Sequence, residues 1–343
     1  MNFFIAHFSF FLFSLLFSFF LFPIILLISK KKNIYTEINS RSSHLKQTPV
    51  LGGIVFYFAI IFSFFMYGYI SDNNSIFVIL ISLTILLLIG VNDDLLPLKP
   101  MIKLIYQIIS VLIIIFLSDF RFHFFDYWLS VAFTLFFFIF IINSFNLIDG
   151  VDGLSGLVAI AFFGFSYVIS FITKSSDLAF ISSVLVGVLI SYLKYNFSKR
   201  NKIFMGDTGS LILGFMIAFL FIYMYNLKID NVKNNIMNVK IQTSSIVLLF
   251  YPICDTIRIV FYRIFVINVN PFTADKNHIH HRYISLGFKH WEISVYIFFL
   301  TSSIVVFNFF TVQNFSFVRI VLLLSLFILL LILPFKLFNI SKK

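Results

Sequence analysis

Apolar residues form long runs along this chain, and only short polar stretches separate one run from the next. Because about 20 apolar residues cross the hydrocarbon core of a bilayer as a helix, the pattern predicts about eleven membrane spans, or ten at the lower count. The predicted spans cover roughly 3–29, 50–70, 76–92, 101–118, 127–145, 154–173, 178–194, 209–226, 244–264, 292–311 and 316–338. Strands of a membrane barrel would alternate polar and apolar residues, so the runs indicate an all-α polytopic fold.

Composition supports the same class. The chain is 60% hydrophobic and only 11% charged, whereas soluble domains carry about 25% charged residues. We therefore expect one integral-membrane domain over residues 1–343. The single cysteine, Cys254, excludes a disulfide framework and a cysteine-built metal site. The net charge of +11 is typical of a membrane protein with basic residues gathered at the cytoplasmic surface, so no nucleic-acid partner is expected.

Basic residues predict the orientation in the membrane. The first run has no basic residue before it and Lys30, Lys31 and Lys32 directly after it. This order indicates a retained helix with its amino end outside, rather than a removable signal peptide. Eleven spans then place the carboxyl terminus in the cytoplasm. On that topology, 19 of the 25 lysines and arginines lie on the cytoplasmic side, as the positive-inside rule requires.

The unusual polar residues also fall on the predicted cytoplasmic face, whereas the outer loops carry no motif. Five segments stand out: "RSSHLKQTPVLGG", "GVNDDLLPLKPMIK", "NSFNLIDGVDGLSG", "FMGDTGS" and "TADKNHIHHRY". A purely structural protein has no reason for this asymmetry. We therefore expect the functional site in the cytoplasmic segments 91–103, 143–156, 195–210 and 265–291.

A pair of carboxylates, Asp93 and Asp94, follows an apolar run directly. A solvated helix end would explain one aspartate near hydrocarbon. Two adjacent carboxylates repel each other, so one of them can hold a raised pKa, as a general base requires. Lys103, at the start of the next span, could face an anion.

Two further segments offer oxygen ligands. Asn143, Asn146, Asp149 and Asp152 crowd the end of a lipid-facing run, and their oxygens suit magnesium, which shares substrate phosphates. The alternative is structural: the two Asp-Gly steps would simply form turns. In "FMGDTGS", Asp207 sits among small residues that suit a phosphate at a helix amino end; an ordinary helix cap, by Asp207 or Thr208, is the alternative there.

The segment "HIHHR" brings three histidines and an arginine together: His278, His280, His281 and Arg282. Zinc is one interpretation, but the spacing does not match helix-borne zinc sites and the chain offers no cysteine partner. Hydrogen bonds to a polyanionic substrate suit the cluster better. A solvated loop without a function remains an alternative interpretation.

Two other groups have structural interpretations. Asp255 and Arg258 can neutralise each other, and the basic segment holding Arg41, His44 and Lys46 can face lipid headgroups.

Taken in order, the segments resemble the polyprenyl-phosphate N-acetylhexosamine-1-phosphate transferases, glycosyltransferase family 4. The matching stretches are "RSSHLKQTPVLGG", "DDLLPLKPMIKLIYQ", "NSFNLIDGVDGL", "FMGDTGSLILG" and "PFTADKNHIHHR". The resemblance covers about residues 30–290. Within the family, the H-x-H-H-R pattern is more similar to the undecaprenyl-phosphate N-acetylglucosaminyl-1-phosphate transferase branch. The phospho-MurNAc-pentapeptide transferase branch of peptidoglycan synthesis, which typically has three consecutive histidines, is the alternative.

The resemblance implies an activity and partners. Members of the family transfer a sugar 1-phosphate from a UDP-N-acetylhexosamine to undecaprenyl phosphate and release UMP. This is the first membrane step of O-antigen, teichoic-acid or other envelope polysaccharide synthesis. It implies Mg²⁺ as cofactor, with Mn²⁺ as a substitute, and a multi-pass protein of the bacterial inner (plasma) membrane whose active site faces the cytoplasm. A homodimer is compatible with the family.

The resemblance also implies residue roles. Asp93 and Asp94 would lie beside the lipid phosphate, and Lys103 would hold phosphate charge. Asn146 and Asp207 would be the metal ligands. The substrate-binding residues would be Asn143, Asp149, Asp152, Phe204, His278, His280, His281 and Arg282. Among them, Phe204 would stack on the uracil. The three histidines and Arg282 would contact the sugar and the diphosphate.

Three other classes remain as alternatives. A transporter would carry its charges near the bilayer midplane on broken helices of internal repeats, but here the acids lie at the cytoplasmic ends. An inactive scaffold of the same fold would be expected to lack Asp94, Asp207 or the histidines. A metal-dependent intramembrane hydrolase is disfavoured by the absence of zinc spacing.

Overall fold

A computed structural model describes residues 3–36, 47–71, 75–227, 232–270 and 277–310, together with Ser325. Helices account for most of this part of the chain. In order they are α1 (Phe3–Lys31), α2 (Gly53–Ser71), α3 (Ser75–Leu95), α4 (Pro100–Ser118), α5 (Tyr127–Ile148), α6 (Leu154–Thr173), α7 (Ser176–Asn196), α8 (Gly206–Asn226), α9 (Val232–Leu248), α10 (Phe250–Phe261), α11 (Ile279–Ser285) and α12 (His290–Phe310). A π-helical turn, Tyr262–Val266, continues α10. The described ranges contain no β-strand, only an isolated bridge between Tyr35 and Pro49.

The all-α membrane architecture is confirmed. Eight of the described helices, α1, α3 to α8 and α12, are long and apolar enough to cross a bilayer. The helix pair α9 and α10, bent by 54°, makes a ninth candidate if it is one broken span, and the apolar part of α2, Gly53–Gly68, is shorter. Apart from Ser325, the eleventh predicted span, 316–338, lies outside the described residues, as do Arg41, His44, Lys46 and Lys276.

Helix α8 forms the centre of the bundle. It contacts α2, α3, α5, α6 and α9, and its residues from Thr208 to Ile222 are buried. A membrane helix that is shielded on all sides faces other helices rather than lipid. In contrast, α1 packs on α7 and α2 and leaves large apolar side chains such as Phe20 and Leu27 exposed, as expected of a lipid-facing helix.

Several helices extend further than the apolar runs predict. Asp93 and Asp94 lie in the last turn of α3 rather than after it, and Asp207 lies in the first turn of α8. A helix satisfies its backbone internally, so it can continue through polar residues near the bilayer surface. The stretch between the predicted spans 209–226 and 244–264, expected to be an outer loop, is helical from Val232 onward. The histidine cluster lies on a short helix, α11, and not in an open loop.

This arrangement brings several helix ends together at one end of the bundle. The carboxyl ends of α3 and α5 meet the amino ends of α4, α6 and α8 there, because each helix turns back after a short connection. All the polar segments predicted to carry function, where described, lie at or beside these ends.

Candidate functional site

Lys103 lies between two carboxylates from different helices. Its Nζ forms ion pairs with Asp93 on α3 and with Asp207 on α8, the latter at 2.5 Å. Asp93 also accepts a hydrogen bond from the backbone N–H of Leu98 at 2.7 Å, which fixes the turn between α3 and α4. The lysine charge offsets the repulsion between the two carboxylates. Lys103 and Asp207 remain about one quarter exposed, so an anion from solution can reach them.

Asp94 has different partners from its neighbour in sequence. Its Oδ1 accepts the N–H of Asp207 at 2.7 Å, and its Oδ2 accepts the N–H of Thr208 at 3.2 Å and the Thr208 hydroxyl at 2.6 Å. These are orphan donors of the first turn of α8, so Asp94 caps that helix from α3. The alternative interpretation of this segment was a helix cap by Asp207 or Thr208, but the acceptor is Asp94, which is remote in sequence.

Close backbone contact holds the amino end of α8 in place. A Cβ atom on Gly53 would overlap the backbone of Gly209, and one on Gly90 would overlap the backbone of Thr208. Preceding α2, the N–H groups of Gly52 and Gly53 donate to the carbonyls of Phe204 and Met205 at 2.9 and 2.8 Å. Only glycine permits backbones to approach this closely.

The carboxyl end of α5 supplies the next group of site residues. Asn146 donates to Ser210 Oγ at 3.0 Å and lies beside the Asp207 carboxylate. One turn away, Asn143 donates to Gln107 Oε1 at 2.8 Å and to the carbonyl of Ile139 at 2.7 Å. Asp149, which ends α5, accepts a hydrogen bond from Ser155. Burial, and to a lesser extent the neighbouring carboxylates, raise the pKa of Asp149 well above its ordinary value.

Asp152 is held by residues from two later segments. Lys202 Nζ pairs with its Oδ2 at 2.5 Å, and His290 Nδ1 lies 3.6 Å from the same oxygen. The Lys202 ammonium also sits 5.2 Å from the centroid of the Phe204 ring. Ser294 donates to the Asp152 carbonyl at 2.7 Å. Phe204 and Asp152 therefore border one basic, partly open corner of the site.

The start of α11 is tied to a buried carboxylate on α10. Asp255 Oδ2 lies 2.7 Å from His278 Nδ1, and its Oδ1 accepts the N–H of Ile279 at 2.9 Å. The expected pair between Asp255 and Arg258 is present at 3.1 Å. Arg258 also donates to the carbonyl of Asn277.

The remaining histidines stack over the α5–α6 turn. The rings of His278 and His280 are nearly parallel with centroids 5.3 Å apart, and those of His280 and His281 are 4.6 Å apart. His280 Nε2 is 3.5 Å from where a Cβ on Gly150 would lie. Burial, opposed by Asp255 and reinforced by the other histidines, lowers the pKa of His280 well below its ordinary value. Arg282 donates to Asn277 Oδ1 at 3.1 Å.

The structure thus brings most predicted site residues to one end of the bundle. Three contributors escaped the sequence analysis: Lys202, His290 and Asn196. Asn196 is buried and donates to the Tyr192 hydroxyl and the Ile203 carbonyl, while its amide oxygen has no hydrogen-bond partner. No local motif marks these residues. The signal that could have identified these residues is an amide or basic side chain close to the end of a predicted helix.

The donor set suits one kind of metal better than another. Among the described residues, no three His, Cys, Asp or Glu side chains converge to hold a metal ion, so the geometry gives the zinc interpretation no support. Magnesium needs only one or two protein oxygens and takes the rest from phosphates and water. Asp207 and Asn146, adjacent beside Lys103, offer that type of oxygen donor.

The fold and the site define a multi-pass helical membrane protein with a carboxylate- and lysine-lined site at one end of its bundle. The chain is similar to glycosyl transferase family 4. The sequence profile of that family matches residues 76–225, a range that contains Asp93, Lys103, Asn146 and Asp207. The resemblance inferred from the five segments is confirmed.

Individual relatives extend the match beyond that range. The chain is 28% identical over 337 residues, 95% of this chain and 88% of the relative, to a probable undecaprenyl-phosphate N-acetylglucosaminyl 1-phosphate transferase of Bacillus subtilis (strain 168). It is 27% identical to the undecaprenyl-phosphate alpha-N-acetylglucosaminyl 1-phosphate transferase of Escherichia coli (strain K12), covering 79% of this chain and 74% of that protein. A phospho-N-acetylmuramoyl-pentapeptide-transferase of Listeria monocytogenes is 27% identical over 50% of this chain and 59% of its own.

Proposed function

We propose that this protein transfers N-acetylglucosamine 1-phosphate, or a related N-acetylhexosamine 1-phosphate, from a UDP-sugar to undecaprenyl phosphate, with release of UMP. Two relatives that match along most of their length carry names for this reaction. The peptidoglycan relative matches only half of the chain, which favours the N-acetylglucosaminyl branch. The reaction would begin the synthesis of an envelope polysaccharide.

One observation carries the proposal: Lys103 joins the carboxylates of Asp93 and Asp207 where several helices end. Phosphoryl transfer asks a protein mainly to position its substrates and to neutralise their charge. A lipid phosphate approaches from the bilayer and a nucleotide from the water. Both can meet only at the membrane surface, so a charged cluster where several helices end suits this reaction.

Direct attack is the reaction that suits these residues. An oxygen of the lipid phosphate attacks the β-phosphorus of the UDP-sugar, and a new P–O–P bond forms. The bond from that phosphorus to the bridging oxygen breaks, and its electron pair leaves with UMP. Asp93 would accept the proton of the lipid phosphate as general base, while Lys103 would move from carboxylate to phosphate charge. Asp94 holds Asp207 in place through the backbone of α8.

Asp207 and Asn146 would hold the magnesium ion, with manganese as a substitute. Bound there, the metal would neutralise the diphosphate and polarise its oxygens. Phe204 would stack on the uracil beside Lys202. Asp149 and Asp152 would shape the nucleotide pocket, with Asn143 supporting α5, and His278, His280, His281 and Arg282 would contact the sugar and diphosphate.

The topology belongs to the same proposal. We infer eleven spans with the amino terminus outside and the site facing the cytoplasm of a bacterial plasma membrane, because the basic residues favour that orientation. UDP-sugars are made in the cytosol, so this is the side from which the donor would arrive. A homodimer is compatible with this arrangement.

The test uses purified protein in detergent with undecaprenyl phosphate, Mg²⁺ and radiolabelled UDP-N-acetylglucosamine. We expect label in the lipid phase, release of UMP, and loss of both when the metal is chelated. Labelling with a different UDP-sugar would keep the reaction and change the donor. Absence of labelling with every UDP-sugar, from protein shown to be folded, would contradict the proposal and favour an inactive scaffold.

A further inference from the structure

Asp255 is a buried carboxylate in the short amphipathic helix α10. Burying a charged group is costly unless hydrogen bonds satisfy it. Three donors do so here: His278 Nδ1, the backbone N–H of Ile279 and Arg258 Nη2. Two of the three come from the histidine segment and not from α10 itself.

We infer that Asp255 is a positioning residue for the sugar and diphosphate site: it fixes the start of α11 and sets the tautomer of His278. The inference rests on the proposed function, in which the histidines of α11 contact the substrate. Nothing in the sequence pattern assigned Asp255 a role beyond neutralising Arg258.

The hydrogen-bond chemistry determines the tautomer. An ionised carboxylate can only accept hydrogen bonds, so the Nδ1 atom of His278 must carry a proton at 2.7 Å from Asp255. The Nε2 atom of the neutral ring is then an acceptor and turns into a donor when the ring is protonated. A carboxylate that orients an imidazole in this way is a common supporting arrangement in enzyme sites.

The position of α11 follows from the same contacts. Asp255 Oδ1 accepts a hydrogen bond from the N–H of Ile279, and Arg258 donates one to the carbonyl of Asn277, on the other side of His278. The backbone is thus held on both sides of the histidine. This anchoring also places His280 against Gly150, beside Asp149 and Asp152. Charge neutralisation alone would need only the i, i+3 pair with Arg258.

Asp255→Asn is the informative substitution because it keeps the size of the side chain. Its amide oxygen can still accept from Ile279, but its NH₂ group then faces His278 Nδ1 and favours the other tautomer. A lost hydrogen bond to a charged group corresponds to about a 10- to 100-fold effect. We expect kcat/KM for the UDP-sugar to fall by that factor, and KM for undecaprenyl phosphate to change by less than about twofold.

A double-mutant cycle with His278→Ala separates positioning from general loss of structure. If Asp255 acts through His278, Asp255→Asn should have little further effect in the His278→Ala background, because the partner is already absent. Losses that simply multiply would overturn the inference. Asp177→Asn is the matched control: Asp177 is also hydrogen-bonded, to Tyr67, but at the opposite end of the bundle, and its kcat/KM should be unchanged.

Hydrogen–deuterium exchange gives a second result that does not depend on transfer activity. Asp255→Asn should speed the exchange of amides in α11, Ile279–Ser285, and leave α8 protected. Faster exchange in α11 of Asp255→Asn, together with a wild-type protein that transfers no sugar, would uphold the anchoring and refute the proposed function. Unchanged exchange in α11 would refute the anchoring, whatever the activity.

Discussion

Asp93 and Asp94 are adjacent in sequence but have different surroundings. Asp93 pairs with Lys103 across the α3–α4 turn, whereas both oxygens of Asp94 bond the first turn of α8. Successive helix residues point in directions about 100° apart, so neighbours in sequence face different partners. Asp93 therefore contacts the lysine of the proposed site, whereas Asp94 holds Asp207 in place.

Removal of the cap should lower stability. Asp94→Ala leaves three donors of α8 without a partner, and loss of an N-cap typically costs about 1–2 kcal/mol. Asp94→Asn keeps an acceptor oxygen and should cost less. Thermal unfolding in detergent, without nucleotide, measures the difference. Asp119→Asn, at an exposed carboxylate paired with Arg121, is the control and should change little, because asparagine tolerates the left-handed backbone at this position. An Asp94→Ala protein as stable as the wild type would refute the capping role.

Asp93 should behave in the opposite manner. Asp93→Asn removes the proposed base without disturbing the cap on α8. Because general-base catalysis contributes about 10²- to 10⁴-fold, turnover should fall at least a hundredfold. Binding of the UDP-sugar, followed by calorimetry, should stay within a few-fold of the wild type. Normal turnover in this variant would remove Asp93 from the mechanism.

At the scale of elements, α2, α3 and α8 meet through glycines. Gly53 and Gly90 let two helices approach the first turn of α8 at backbone distance, and small residues at helix contacts are a common device in membrane proteins. The contact puts Asp94 within reach of the α8 N–H groups. A small change in helix spacing would therefore change the hydrogen bonds between Asp94 and the first turn of α8.

Gly90→Ala tests this contact. The new methyl group would meet the backbone of Thr208, which cannot rotate away, and overpacking of this kind typically costs about 1–3 kcal/mol. We expect a lower melting temperature and reduced transfer activity. Gly164→Ala is the matched control, because nothing lies within 4 Å of the added atom in α6 and alanine favours a helix. Equal effects of the two substitutions would contradict the importance of the close contact.

At the scale of the whole molecule, the orientation of the protein in the membrane can be tested by cysteine labelling, once the natural single cysteine has been replaced. In a Cys254→Ser background, Lys174→Cys lies between α6 and α7 and Asn201→Cys between α7 and α8. A membrane-impermeant maleimide added to intact spheroplasts should label Lys174→Cys and leave Asn201→Cys unlabelled until the membrane is opened. The reverse pattern would overturn the orientation inferred from the basic residues.

The sequence predicted the elements better than the contacts between them. Each apolar run in the described part of the chain became a helix or, for 244–264, part of a bent pair, because the requirement of lipid for internal hydrogen bonding is local. The partner of Asp94 lies 113 residues away and that of Asp255 lies 23 away. Such pairs depend on which helix ends meet in the folded protein, and a single sequence does not reveal those long-range contacts. The polar segments that the structure describes nevertheless lie together at one end of the bundle.

The dispersal of the site along the chain has a consequence for its synthesis. Residues of α3 and α4 are made first, α8 follows, and α11 with its histidines is among the last described elements. The cluster of Asp93, Lys103 and Asp207 can form only once α8 has entered the bundle, and the histidines arrive later still. A growing chain at the ribosome therefore lacks a complete site, and it cannot consume carrier lipid before its insertion is almost finished.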